Sequence, residues 1–277
     1  MAAPRAIPLW RNAGGTAKAE AFNGPASMSR YDFRSPRLHV EAALAPGGAV
    51  PLAKPQAHYL CNVLRLSAGD TVLLFNGRNG EWRGTIAGTG KIPSVQLQEQ
   101  IREQTAPTNL HYLFAPLKRE RLDYLVQKAV EMGVSRLQPV ITRHVQVARI
   151  NLERMRANVI EAAEQCGVLA VPEIGEPISF ERAIAERAPE RLLIFCDEDA
   201  EVKNPLAALA AARPAMGAEL PLAIIVGPEG GFSEDERSAL LKLPNVVRLS
   251  LGPRILRADT AAVAALALVQ ASLGDWN

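Results

Sequence analysis

Residues 222–236, Leu-Ala-Ile-Ile-Val-Gly-Pro-Glu-Gly-Gly-Phe-Ser-Glu-Asp-Glu, decide the fold. Leu222–Val226 has no polar position. Such a run suits a strand buried on both faces, as in a parallel sheet, rather than one with a wet face. Gly227, Gly230 and Gly231 end it, and Ser233 with Glu236 three residues later is a capping box that opens a helix. A strand that leads through a glycine loop into a helix is half of a βαβ unit.

The pattern continues on both sides. Downstream, Val246–Leu249 reads as a last strand and Ala258–Leu273 as a last helix. Between them runs Leu251-Gly252-Pro253-Arg254-Ile255-Leu256-Arg257. Upstream, strands are expected at Leu110–Ala115, Val140–Thr142 and Leu192–Cys196. Helices are expected at Arg119–Met132, Leu152–Cys166 and Ala207–Ala212. In the first helix Leu122, Leu125, Val126, Ala129 and Val130 fall on one face, and Gly133 stops it. Strands alternating with helices give an α/β domain, a parallel sheet covered on both faces.

Before residue 106 the rhythm differs. Short strands at Leu38–Val40, Val72–Phe75, Glu81–Ala87 and Val95–Leu97 alternate with turn signals such as Asn76-Gly77, which predicts a small β-barrel. One helix, Lys54–Leu66, interrupts them and should turn Leu60, Val63 and Leu64 inward. Residues 1–28 have no periodic apolar face and are expected to be a disordered leader. The division is therefore 1–28, a barrel at 29–105, and an α/β domain at 106–277.

Composition narrows the function. The apolar run at Ala261–Leu268 is too short to span a bilayer and reads as a buried helix. Cys61, Cys166 and Cys196 are widely spaced with no CxxC pair, so they support neither a metal site nor a disulfide framework, and suit a reduced, cytoplasmic protein. Residues 1–105 carry 12 Lys/Arg against 7 Asp/Glu, whereas the remainder carries 19 against 22. A basic N-terminal part suits a polyanionic partner.

Ligands of open α/β sheets bind beyond the carboxyl ends of strands, which directs attention to the two loops. The first is neither GxGxxG nor a Walker loop, so it indicates neither a dinucleotide nor a triphosphate. A plain strand-to-helix turn would use the same glycines. The second carries Leu251, Ile255 and Leu256 between arginines, which suits a purine pocket facing an anionic partner; a core-capping loop would also explain it.

Together the segments resemble a known family. Ile225-Val226-Gly227-Pro228-Glu229-Gly230-Gly231-Phe232-Ser233 and Leu249-Ser250-Leu251-Gly252-Pro253-Arg254-Ile255-Leu256-Arg257-Ala258-Asp259-Thr260-Ala261 are similar to motifs of the bacterial 16S ribosomal RNA uridine-N3 methyltransferases. So are Gln127–Val134, Glu161–Gly167, and His58-Tyr59-Leu60 with Val63-Leu64-Arg65-Leu66. The resemblance runs from about Ser29 to the end. Two departures are Val168, where many relatives have arginine, and Asp259, where many have glutamate.

The resemblance implies a trefoil-knotted methyltransferase domain of the SPOUT superfamily behind a PUA-like barrel that grips RNA. It further implies a cytoplasmic homodimer, S-adenosylmethionine as cofactor, and 16S ribosomal RNA or the small ribosomal subunit as partner. Candidates for holding the cofactor are Val226, Gly227, Gly230, Leu251, Gly252, Ile255 and Leu256. Glu229 is a candidate base, or else a carboxylate at the helix entry that faces away from substrate. Arg257, preferred to Arg254, would act on the reacting uridine or a phosphate. Arg65, Arg83, Lys118 and Arg119 are RNA-binding candidates, with Arg143 and His144 as further ones. A knotted methyltransferase acting at a ribose 2′-oxygen, and a non-catalytic RNA-binding protein of the same fold, are the competing readings.

Overall fold

The computed structural model describes residue 32 and residues 34–88, 93–147, 149–201, 204–213 and 220–276. The leader expected at 1–28 lies outside them.

The first elements are β1 (Arg37–His39), β2 (Ala49–Pro51), α1 (Lys54–Ala57) running into a π-helical turn (His58–Val63), β3 (Thr71–Phe75), β4 (Glu81–Ala87) and β5 (Ser94–Arg102). The strands form one sheet in the order β1-β3-β4-β5-β2, antiparallel except where β1 joins β3. Register shifts in the β4–β5 ladder, between Glu81 and Trp82 and between Arg83 and Gly84, are the irregularities that let a sheet curl into a half-barrel. Its core is built from Leu38, Val50, Leu60, Val72, Trp82 and Val95.

One expectation about this region needs correction. Leu60 is fully buried, but Val63 and Leu64 are 58% and 39% exposed. The cause is the hydrogen bond from Leu64 N to Tyr59 O, an i→i+5 closure. It widens the turn and rotates the following side chains out of the inner face that α-helical spacing would give them.

The half-barrel contains a charged centre. Arg37 Nε donates to Glu81 Oε1 at 2.7 Å and Arg102 Nη1 to Glu81 Oε2 at 3.3 Å, with Glu81 wholly buried. A buried carboxylate is tolerable only when paired in this way, and removing one partner would leave an uncompensated charge.

The remaining elements are β6 (Leu110–Phe114), α2 (Arg119–Glu131), β7 (Arg136–Ile141), α3 (Leu152–Cys166), β8 (Glu173–Ile174), β9 (Ile178–Ser179), α4 (Phe180–Ala185), β10 (Leu192–Cys196), α5 (Pro205–Ala211), β11 (Leu222–Val226), α6 (Glu234–Leu241), β12 (Val246–Leu249) and α7 (Ala258–Leu273). The sheet runs β12-β10-β11-β6-β7-β8, parallel throughout, with β9 pairing alongside the end of β7. Every residue of β11 is buried. Leu222, Ile224 and Val226 enter one core, with side chains of α2, α3, α5 and α7. Ala223 and Ile225 enter the opposite core, with Phe180 and Ala183 of α4 and Leu240 of α6. The uninterrupted apolar run thus has the double-sided burial that it predicted.

Two contacts join the half-barrel to α3. His39 N donates to Glu164 Oε1 at 2.8 Å, and Arg102 Nη1 donates to Gly167 O at 3.0 Å. Gly167 ends α3 in the left-handed conformation at φ +67°, so its carbonyl is free of the helix and open to that bond.

Candidate active site

β10, β11 and β12 lie side by side, and the segments that leave their carboxyl ends enclose a cavity of about 350 Å³. Its position follows from the parallel sheet, and its size suits a small ligand.

The first wall follows β11: Val226, Gly227, Pro228, Glu229 and Gly231 line the cavity. Gly227 is required for a packing reason, because a Cβ there would lie 2.8 Å from Phe232 Cε2. The Phe232 ring meets Phe195 of β10 edge-on, with centroids 5.3 Å apart, and so fixes the loop on the sheet. Glu229 Oε1 accepts from Arg121 Nη1 at 2.9 Å, both side chains being partly exposed. Gly230 is not among the lining residues; its missing side chain leaves room for His144, whose Cβ would lie 3.1 Å away.

The second wall follows β12. Leu249, Leu251, Gly252, Arg254, Ile255 and Leu256 line it. Gly252 has φ +102°, and nothing stands within 4 Å of where a Cβ would be, so the backbone turns there as glycine permits and leaves open space. Ile255 is 95% exposed despite its apolar side chain. Arg254 lies on the cavity, whereas Arg257 is exposed, stands immediately before α7, and is not among the lining residues.

The third wall follows β10: Cys196, Asp197, Glu198 and Asp199. Sequence reasoning did not select it, although the same strand-end rule applied to Leu192–Cys196 points there; no glycine marks the loop. Asp197 is buried. Burial alone would raise its pKa, but Arg237 Nε at 3.1 Å and Arg248 Nη2 at 2.7 Å hold it below the usual carboxylate range. Burial pushes the Cys196 thiol up to about 12, so it forms a neutral part of the wall. Glu198, Asp199 and Glu234 add carboxylates to a lining that also holds Arg237, Arg254 and the apolar Leu251, Ile255 and Leu256. Such a lining can take a ligand that has both an apolar and a cationic part.

A basic group occupies the neighbouring strand ends. Lys118 and Arg119, both exposed, begin α2 after β6, and Arg143 and His144 follow β7. His144 Nδ1 lies 3.1 Å and 3.2 Å from the carbonyl oxygens of Gly230 and Gly231. Carbonyl oxygens only accept, so in these contacts Nδ1 is the donor. Glu236, buried, accepts from Ser233 N and from Arg143 N, each at 2.8 Å, and so clasps the basic loop to the glycine loop. Arg65 and Arg83 lie apart from this edge, on the half-barrel. Arg65 is exposed, and Arg83 is paired with Glu99 on β5.

Residues 104–270 match the family of RNA methyltransferase domains, and residues 52–95 match the RNA methyltransferase PUA domain. The ribosomal RNA small subunit methyltransferase E of Rickettsia conorii is 34% identical over 84% of this chain and 94% of its own length. This chain belongs to the methyltransferase E family. Its counterpart in Synechocystis is 32% identical, over 81% of this chain and 73% of the relative.

Solved structures share the architecture. The methyltransferase E of Neisseria gonorrhoeae, bound to S-adenosyl methionine, superposes with a TM-score of 0.76 at 29% identity and covers 88% of this chain and all of its own. A Legionella pneumophila protein solved with bound SAM gives 0.73 at 31% identity, over 86% of this chain and 98% of its own. This chain likewise combines a PUA half-barrel with a parallel-sheet methyltransferase fold. Among the described residues no cluster of metal-ligating side chains is present, and no helix is long and apolar enough to cross a membrane.

Proposed function

We propose that this protein methylates N3 of a uridine in 16S ribosomal RNA, with S-adenosylmethionine as methyl donor. The observation that carries this is the cavity formed where the glycine loop after β11 meets the apolar arginine loop after β12. The cavity lining fits the cofactor: Val226, Leu251 and Leu256 offer apolar walls for adenine, Gly252 allows close backbone approach, Gly227 lines the cavity while making room for the Phe232 ring, and Glu198, Asp199 and Glu234 complement positive charge. Ile255 adds an apolar side chain to the rim. Gly230 serves indirectly, through the room it gives His144.

S-adenosylmethionine supplies an already activated methyl group when bound, so no side-chain nucleophile is required. The chain must align the uridine and accept the N3 proton. We assign the proton to Glu229, which lines the cavity and must exchange its Arg121 partner to receive it. Arg257, unpaired among the described residues, stands next to the arginine loop and stabilises negative charge developing on the uracil. Lys118 and Arg119 bind RNA phosphates at the same edge, and Arg65 and Arg83 do so from the half-barrel.

We assign residues 29–105 to an RNA-binding half-barrel and residues 106–277 to the catalytic domain, whose Lys118 and Arg119 add phosphate contacts. We further propose that the catalytic part carries the trefoil knot that the sequence resemblance implies; after the edge strand β12, α7 packs on α2, α5 and β11. We also propose a homodimer acting in the cytoplasm, in which a second subunit covers the exposed Ile255 beside the cavity. The test is methylation of small subunits by the purified protein, followed by nucleoside mass spectrometry, with N3-methyluridine as the expected product.

A further inference from the structure

The π-helical turn of the half-barrel presents apolar surface that the fold does not use. Leu60 points inward, while Tyr59, Val63 and Leu64 are 37%, 58% and 39% exposed. They are followed by Arg65, which is exposed and has φ +59°. The turn closes with Leu66 N donating to Leu60 O at 2.9 Å, the kind of helix end at which glycine is the usual left-handed residue. An arginine there is strained, and strain of this kind persists where the side chain has a use. π-helical turns recur at functional positions for the same reason.

The surroundings define the partner. From Ala42 to Gly69 the chain has no Asp or Glu, while Lys54, His58 and Arg65 fall in that stretch. Exposed His58 and Asn62, bonded to each other at 2.8 Å, flank the apolar group. An aromatic ring beside aliphatic side chains, in a segment that carries Lys54 and Arg65 and no acid between Glu41 and Asp70, complements a polyanion that offers flat faces. Unpaired RNA does so, whereas duplex RNA keeps its bases stacked inside and is read through its backbone.

We propose that this face holds an unpaired segment of the RNA substrate, with one base stacked on Tyr59 against Val63 and Leu64 and the adjoining phosphate at Arg65. The inference takes the class of partner from the function proposed above, but its test does not depend on methyl transfer.

The full chain, without cofactor, is titrated into a fluorescently labelled 12-nucleotide oligouridine and into a duplex RNA of equal length. Tyr59→Ala is expected to weaken oligouridine binding roughly 5- to 100-fold, the usual worth of one stacked base, with little change for the duplex. Arg65→Gly should weaken it and reduce the slope of log affinity against log salt by about 0.7. The same substitution relieves the backbone, so its Tm should equal or slightly exceed that of the wild type, which a structural arginine would not allow. Wild-type affinity for oligouridine in both variants overturns the proposal, as does a wild-type protein that fails to bind it. Unchanged RNA binding with an altered sedimentation coefficient in Tyr59→Ala or Val63→Ser would instead identify the face as a contact between copies of this chain. Loss of methyl transfer with normal oligouridine binding would count against the function, not against this face.

Discussion

A Cβ at position 227 would stand 2.8 Å from Cε2 of Phe232, whereas one at position 252 would meet nothing within 4 Å. The two glycines of the cavity therefore serve different purposes. Gly227 admits a ring that fastens the loop to β10, and Gly252 keeps a left-handed turn and an open wall. Gly227→Ala should lower stability by about 1–3 kcal/mol through overpacking, and weaken S-adenosylmethionine as the loop shifts. Gly252→Val should place its side chain where the cofactor goes, at a backbone cost of about 1–3 kcal/mol. Calorimetric titration beside thermal melts separates the two. Near-normal affinity in Gly252→Val would move the cofactor elsewhere.

Arg257 is exposed and does not line the cavity, so it should contribute little to cofactor affinity. Arg257→Ala is expected to leave the dissociation constant of S-adenosylmethionine within about threefold of wild type, while lowering kcat by 10²-fold or more, on the order of an oxyanion donor. Arg254→Ala, which removes a cavity wall, should show the reverse split. Equal rates for Arg257→Ala and wild type would end its assignment to the reacting uridine.

Much of this site was legible in the sequence, and the reasons differ by residue. Val226, Gly227, Leu251, Gly252, Ile255 and Leu256 were reached because apolar strands ending in glycine loops mark the binding edge of a parallel sheet. Asp197 to Asp199 follow a strand equally well, but acids after a strand look like any solvated turn until Arg237 and Arg248 are seen to converge on Asp197. Gly230 was grouped with the cofactor loop; only three-dimensional packing shows that it faces His144. Val63 and Leu64 misled because a π-turn follows no apolar period. Strand β7 begins earlier than its apolar period predicts, since Arg136 and Gln138 break the pattern, and the amide of buried Gln138 donates to Glu176 O and Pro139 O. The two-residue strands β8 and β9 and the short helix α4 are too brief to carry a period.

Glu164 links α3 to β1 by accepting from His39 N at 2.8 Å, and its pKa is pushed up to about 7, mainly by burial. The folded state therefore holds a proton that the unfolded chain releases at the usual carboxylate value. This group contributes stability below that value, and the contribution is lost as pH rises to about 7. Glu164→Gln keeps an acceptor oxygen without the charge. Its Tm should exceed that of the wild type at pH 8 by about 2–4 °C and match it near pH 4.5. A constant difference between the two proteins from pH 4.5 to pH 8 would contradict this.

Arg83 is paired with Glu99, whereas Arg65 is exposed and unpaired among the described residues. Each phosphate contact to a single strand contributes about 0.7 to the slope of log affinity against log salt. Arg65→Ala should reduce the slope by that amount, and Arg83→Ala by less, because removing Arg83 also frees an acid. Titration of the RNA at several salt concentrations measures both. A larger effect for Arg83 would shift the RNA path across β4 and β5.

The central claim is that the cavity between the β11 and β12 loops delivers a methyl group to uridine N3. Small ribosomal subunits from a strain lacking this protein are incubated with the purified enzyme and S-adenosylmethionine, and the RNA is digested for nucleoside mass spectrometry. N3-methyluridine should appear, accompanied by a new reverse-transcription stop, because N3 lies on the pairing edge. Gly252→Val should give neither signal. A 2′-O-methylated nucleoside, or no modified nucleoside with the wild-type enzyme, would contradict the account.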